Sequence, residues 1–217
     1  WNDYDGIDVK GKTVVILVND PGFATQNPDL FTGNAMTYYG RWTYKYEEAA
    51  RQGAKAVFIV HQTAPAAYPW SVVESSNTGS KYTLVDSENN ISKLPIMGWI
   101  QHAVAETIFT DAGLSFDEMQ HYALNPGFKA VSLPQSANLT LNSAIKNAES
   151  NNVVAMIEGE SRADEYIVIS AHWDHFGTKQ TANGPKIYNG AIDNATGSAA
   201  TVELARILMQ QHKIKPF

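Results

Sequence analysis

Short β-branched segments alternate with helical segments in the first part of the chain, and this alternation is the strongest constraint on its fold. The run Thr13 to Val18 is apolar and ends in a turn of Asn, Asp, Pro and Gly, which is typical of a strand. Residues 42–52 are good helix formers, and the following Gly53 suits the end of a helix. Ala56 to Val60 predicts a second strand. This order of elements predicts an α/β fold.

A third strand and helix follow in the same order. The apolar segment LPIMGWI, residues 94–100, predicts a strand, and the segment QHAVAETIFTDAG predicts a helix that ends at Gly113. Beyond these elements the sequence turns to Ser, Asn and Pro without strong periodicity. We therefore expect residues 1–130 to form one α/β domain, with a boundary near residue 130.

The remaining residues, 131–217, predict the beginning of a second α/β domain. The segments NNVVAMIEGE (151–160) and EYIVISA (165–171) predict two strands joined by a loop. Within the second, the apolar run from Tyr166 to Ala171 is typical of a strand covered on both faces. Ser198 to Gln211 predicts a mostly apolar helix. We expect this domain to be incomplete within the chain.

The composition narrows the possible functions. The formal net charge of -6 comes with no basic tract, which argues against nucleic acid as a partner. No apolar run approaches the roughly 20 residues of a transmembrane helix. Cysteine is absent, so any metal site must use His, Asp and Glu. The chain begins with Trp1 rather than methionine, which indicates processing or excision from a longer protein.

The stretch ISAHWDHFG, residues 169–177, carries the first candidate site. On a strand, His172 and Asp174 project to the same face, while Trp173 points to the other. A metal-bound imidazole usually donates its second N–H to a carboxylate or carbonyl, and Asp174 is spaced for that role. A structural His–Asp hydrogen bond at the end of a strand is the alternative, and these residues alone leave both open.

A second candidate is Asp193, in the stretch YNGAIDNATGSAATVELARIL. Aspartate immediately before a helix is a favoured N-cap residue. The same carboxylate could instead bridge two cations at the mouth of an α/β sheet. These two interpretations also remain open on this stretch alone.

Together, AHWDHFG and GAIDNATGSAATVELAR resemble the co-catalytic zinc aminopeptidases, the group that includes aminopeptidase Y and the glutamate carboxypeptidase and transferrin-receptor ectodomains. The segments DVKGKTVVILV, EEAARQGAKAVFIV and LPIMGWIQHAVAETI resemble the protease-associated (PA) domain that such peptidases often carry as an insertion. The resemblance implies a PA-type α/β domain over residues 1–130. It implies the first part of a phosphorylase/hydrolase-like α/β/α zinc-peptidase sandwich over residues 131–217.

The resemblance also implies roles for individual residues. His172 would bind the first of two zinc ions, Asp174 would orient His172, and Asp193 would bridge both ions. His175 has no ligand role in the family and would line the site or be structural. Gly197 would let the following helix pack closely.

The resemblance further implies that the peptide bond after Asp193 is cis.

The family also needs a Glu-Glu pair with a general base, a further Asp and a late His, all after the bridging Asp. This chain has only Glu203 and His212 there, and neither fits those motifs. The adjacent Glu47 and Glu48 lie far upstream, where a solvated helix face is expected. The resemblance therefore implies a chain truncated within the catalytic domain, without its general base. We expect this fragment to be inactive alone and to bind zinc weakly or not at all.

The implied function is a zinc-dependent exopeptidase, most simply an aminopeptidase that removes N-terminal residues from a peptide or dipeptide through a metal-bridging hydroxide. Carboxypeptidase relatives leave that choice open, and a metal-free, receptor-like ectodomain of the same fold is the alternative. A serine hydrolase is disfavoured because the chain has no G-x-S-x-G motif. The resemblance implies a secreted or periplasmic protein.

Overall fold

A computed structural model describes residues 1–85, 93–159 and 161–214, with only the backbone of residues 212–214. The chain divides into two compact units, Trp1–Asn142 and Ser143–Phe217. The expected boundary near residue 130 lies inside the first unit. The chain beyond that point stays attached to this unit, since the Gln135 side-chain amide donates a 2.9 Å hydrogen bond to the backbone oxygen of Ile108.

The first unit is built on a three-stranded parallel sheet, which confirms the predicted α/β class. Its strands are β1 (Thr13–Leu17), β2 (Ala56–His61) and β3 (Ile96–Gln101), in the order β1-β2-β3. All three strand predictions from the sequence are confirmed. Parallel neighbours require crossover connections, and helices supply them here.

Six α-helices accompany this sheet among the residues described. They are α1 (Pro21–Thr25), α2 (Trp42–Arg51), α3 (Thr63–Ala66), α4 (Trp70–Asn77), α5 (His102–Asp111) and α6 (Phe116–Tyr122). The predicted helices α2 and α5 are confirmed, and the glycine after each has a positive φ, 78° at Gly53 and 74° at Gly113.

Helix α6 was not predicted from the sequence, although its start carries a recognisable signal. The Ser115 hydroxyl accepts a 3.3 Å hydrogen bond from the backbone N–H of Glu118, as expected for a Ser-x-x-Glu helix start.

The core of the first unit lies on both faces of the central strand β2. The fully buried side chains of this strand are Val57, Ile59 and Val60. Val57 and Ile59 share a face with the buried Ala49 of α2, while Val60 packs on the other face with residues of α5 and α6. This alternation follows from the two-residue period of a strand. Strand β2 is therefore apolar from Ala56 to Val60, because both of its faces are covered, and it ends at the buried His61.

Replacing Ile59 by alanine should lower the free energy of unfolding by about 2 to 5 kcal/mol, because it leaves a cavity in a fully buried position. Urea unfolding followed by circular dichroism measures the change. The control is Val104→Ala on the exposed surface of α5, which should change stability by no more than about 0.5 kcal/mol. Equal effects of the two substitutions would contradict the assigned core.

The second unit contains an antiparallel hairpin and one long helix. Strands β4 (Gly177–Thr181) and β5 (Gly184–Tyr188) pair from Gly177 opposite Tyr188 to Thr181 opposite Gly184. An irregular helical turn, Ala191–Ala195, leads into α7 (Thr196–Ile214). The helix predicted over residues 198–211 is confirmed.

The two strands predicted before the hairpin are not formed among the residues described. Residues 151–159 and 165–171 have no strand pairing, and their apolar side chains are largely exposed, as with Val154 and Ile167 at 86% and 93%. An apolar run makes a strand possible, but hydrogen bonds to neighbouring strands create it. In the described part of this unit, β4 and β5 pair only with each other.

Among the helices described, none is both long and apolar enough to cross a bilayer.

Candidate metal centre

The structure brings His172 and Asp193 into direct contact. His172 Nε2 lies 2.9 Å from Asp193 Oδ1, although the two residues are 21 positions apart in the sequence. Both side chains remain accessible, with 51% of His172 and 67% of Asp193 exposed. This contact, the His172–Asp193 pair, forms an open site that a metal ion or a substrate could reach.

The β4–β5 hairpin produces this contact by turning the chain back on itself. The hairpin begins soon after His172 and ends shortly before Asp193, so the two segments return side by side. A side chain at Gly190 would interfere here, since its Cβ would lie 2.9 Å from both His175 Cβ and the backbone oxygen of Asp193. Gly190 also has a φ of 63°, a conformation that favours glycine. The close return of the chain therefore requires glycine at this position.

The His172 ring is held by its other nitrogen. Its Nδ1 lies 2.8 Å from the backbone oxygen of Asp174 and 3.3 Å from the carboxylate Oδ1 of the same residue. The backbone carbonyl is thus the nearer acceptor for an Nδ1 proton, which would leave Nε2 to face Asp193. The hydrogen bond to the Asp174 carbonyl, together with the negative charges of Asp193 and Asp174, raises the pKa of His172.

The segment after Asp193 is fixed by a helix cap. The peptide bond between Asp193 and Asn194 is cis, as the resemblance implied. The Asn194 side-chain oxygen accepts a 3.2 Å hydrogen bond from the backbone N–H of Gly197, so Asn194 caps the start of α7. A Cβ on Gly197 would lie 2.2 Å from that oxygen. Gly197 therefore makes room for the cap.

Ser198 provides a second connection between the two motifs. Its hydroxyl donates a 3.2 Å hydrogen bond to the backbone oxygen of His172 and so ties the first turn of α7 to the histidine segment. Gly190, Asn194 and Ser198 were not predicted as site residues from the sequence. Gly190 carried a local signal as a glycine three residues before Asp193, and Asn194 carried one as a favoured cap residue just before a helix.

His175 lies at the edge of the His172–Asp193 pair. Its Nδ1 is 3.9 Å from Asp193 Oδ2, and its ring packs against Phe176 with centroids 4.5 Å apart. The remaining sequence candidates lie elsewhere in the structure. Glu203 forms an ion pair with Arg206 within α7. The side chain of His212 lies outside the described residues.

The two adjacent glutamates of the first unit have local partners. Glu47 accepts a hydrogen bond from the Tyr38 hydroxyl, and Glu48 accepts hydrogen bonds from Arg51 and Gln52. These contacts belong to the surface of α2.

The His172–Asp193 pair has the donor chemistry of a zinc site. Zinc binds imidazole nitrogen and carboxylate oxygen at about 2.0 to 2.2 Å in tetrahedral geometry, so adjacent ligand atoms lie about 3.3 to 3.6 Å apart. The 2.9 Å separation is a few tenths of an ångström shorter, and a small rotation of these exposed side chains would reach that value. A catalytic zinc usually takes three protein ligands. The pair therefore fits part of a zinc coordination sphere.

The region that holds both motifs also matches a known family. Residues 152–216 match the family model of Peptidase family M28. The match supports an M28 peptidase, and hence a zinc-dependent hydrolase, over this part of the chain. It covers both His172 and Asp193. No solved structure matches the chain.

Replacing Gly190 by alanine should separate the His172–Asp193 pair, because the new Cβ would collide with the His175 segment in an already strained conformation. The loss of the contact should change the chemical shifts of the His172 ring resonances in NMR spectra. Gly159→Ala is the matched control, since Gly159 has open space around its Cβ position. Unchanged resonances of His172 in Gly190→Ala would contradict the assigned packing.

The pKa of His172 should lie above its ordinary value of about 6.5 in the metal-free protein, and Asp193→Asn should lower it. The shift should be partial, because the hydrogen bond to the Asp174 carbonyl remains. Stability from this charged contact is present below pH 6.5 and is lost as pH rises through the raised pKa. An NMR titration measures both values, with Glu203→Gln as a control that leaves them unchanged.

Proposed function

We propose that this chain contributes the first ligands of the zinc centre of an M28 aminopeptidase. The observation that carries the proposal is the 2.9 Å contact between His172 and Asp193, inside the segment that matches Peptidase family M28. The first unit is proposed to be the PA domain of the same protein. Its parallel sheet and crossover helices are compatible with that assignment.

His172 and Asp193 are the proposed protein ligands. His172 offers Nε2, while its Nδ1 donates to Asp174, which fixes the tautomer and orientation of the ring. The second carboxylate oxygen of Asp193 lies 3.9 Å from His175 Nδ1, beyond hydrogen-bonding distance. This oxygen is therefore available to a second ion, in agreement with the bridging role that the resemblance implies.

Zinc held by His172 and Asp193 would lower the pKa of a coordinated water and polarise the scissile carbonyl of a substrate. The residues of this chain contribute by positioning. The Asp174 carbonyl holds the His172 ring, and the Asn194 cap and the Ser198 hydroxyl fix the segments that carry the two ligands. The general base and the further ligands are proposed to come from outside this chain.

The proposed substrate is a peptide or dipeptide with a free N-terminus, because most proteins that the motifs resemble are aminopeptidases. A secreted or periplasmic location is proposed on the same resemblance. The exposure of both ligands is compatible with access for an extended peptide.

The test compares the full-length protein that contains this chain with its His172→Ala and Asp174→Asn variants, using aminoacyl chromogenic substrates. His172→Ala should lose zinc and hydrolysis together. Asp174→Asn should keep the fold and weaken zinc affinity by no more than about 10-fold, the lower end of the usual range for such partners, because the backbone carbonyl still accepts from Nδ1. Zinc content after dialysis and initial rates are the measurements.

Chelator should abolish hydrolysis, and added zinc should restore it. The 217-residue chain alone should show no turnover, since the pair supplies two ligands where a catalytic zinc usually has three. Turnover by this chain that His172→Ala removes would show that the ligand count is wrong. A full-length protein that binds peptide without cleaving it would contradict the peptidase and favour the receptor-like alternative.

A further inference from the structure

A second group of metal-ligating side chains lies in the first unit. His102 is the first residue of α5, Glu106 follows one turn later, and Asp117 lies in the first turn of α6. One ligand atom from each residue lies within 4.8 Å of the other two. We call these three residues the His102 cluster.

The packing of α5 against α6 brings the cluster together. Ala105 of α5 and Phe116 of α6 are buried in the same apolar cluster, and the rings of Phe109 and Phe116 meet edge to face at 5.1 Å. The His102 ring also packs against Phe116, with centroids 5.0 Å apart. Phe116 precedes Asp117, so the contact that positions the imidazole also places the Asp117 carboxylate beside it.

The Nε2 atom of His102 is buried, although 41% of the side chain is exposed, and this atom has no hydrogen-bond partner among the described residues. Its nearest charged neighbour is Glu106 Oε1 at 3.7 Å, which is too long for a hydrogen bond. A buried polar atom normally finds a partner, and an unpaired one requires an explanation. A cation between Nε2 and the two carboxylates would provide that partner.

The distances suit a transition-metal ion. Adjacent ligands of tetrahedral zinc lie about 3.3 to 3.6 Å apart. The 3.7 Å from His102 Nε2 to Glu106 Oε1 is close to this value. The two carboxylates are exposed, so a modest rotation of their side chains can close the remaining distance.

An ordinary helix-surface interaction is the simpler alternative. Residues four apart on a helix often form weak ion pairs, and an acidic residue in the first turn of a helix is favourable. These effects account for Glu106 and Asp117 separately. They leave the His102 nitrogen unpaired, and in the part of the chain that is described no lysine or arginine forms an ion pair with either carboxylate.

We infer that the His102 cluster is a binding site for a divalent transition-metal ion of the zinc type, separate from the His172–Asp193 pair. One imidazole nitrogen and two carboxylate oxygens form a donor set that suits zinc, whereas calcium prefers oxygen ligands alone. The ion would link the start of α5 to the start of α6. Its role is structural, because it joins two helices that are already packed through Phe116.

The experiment uses the whole chain with His172→Ala and Asp193→Asn, so that the second unit contributes neither of its proposed ligands. Isothermal titration with zinc should show one bound ion per chain. His102→Gln and Asp117→Asn should each weaken binding by more than about 10-fold, because each removes one of three ligands. Glu118→Gln, an exposed acid next to Asp117 in α6, is the matched control and should bind as tightly as the background protein.

Thermal unfolding supplies an independent measurement. Zinc should raise the Tm of the background protein and of Glu118→Gln, but not that of His102→Gln or Asp117→Asn. Zinc binding that persists in both ligand variants would overturn the inference. An equal Tm increase with calcium would also overturn the inference, because calcium prefers oxygen ligands and its binding would indicate a site without the imidazole. The background protein lacks His172, so this result is independent of the proposed peptidase activity.

Discussion

The contact between His172 and Asp193 depends on the return of the chain through the β4–β5 hairpin. The hairpin and its flanking turns occupy almost all of the sequence between His172 and Asp193. Gly190 allows the returning segment to approach His175, and the Asn194 cap sets the start of α7 immediately after Asp193. Without this local geometry the two donors would be unrelated side chains on an exposed segment.

The first unit is organised by a different constraint, the covering of both faces of β2. Helix α2 contributes to one face, and α5 and α6 cover the other. Helices α5 and α6 also bring His102, Glu106 and Asp117 together. This follows because α5 begins at the residue after β3 and α6 packs against α5 through Phe116. A cluster of polar residues at the end of a parallel strand is thus a consequence of how the sheet is covered.

Local sequence patterns predicted the first unit well and the second only in part. Strands β1 and β2 are rich in β-branched residues and have the glycine-terminated helix α2 between them, and β3 leads into the glycine-terminated helix α5, so each local preference agrees with the final fold. The apolar run from Tyr166 to Ala171 has an equally strong preference, but it lacks strand partners among the described residues. Strand formation depends on such partners, which composition alone does not encode.

The candidate site also depends on contacts that the sequence motifs alone do not encode. The motif resemblance identified His172 and Asp193, and the structure places them in contact. It could not show that the backbone oxygen of Asp174, rather than its carboxylate, is the nearer acceptor for His172, because that choice depends on the local path of the chain. The His102 cluster was missed because its residues come from two helices, one of them unpredicted.

The most direct test of the account is anomalous diffraction at the zinc absorption edge, from crystals of the full-length protein grown with zinc. The account predicts an anomalous peak about 2.0 to 2.2 Å from His172 Nε2 and at a similar distance from the Asp193 carboxylate. Zinc bound in the second unit without His172, with Asp193 acting only as a partner of the histidine, would contradict it.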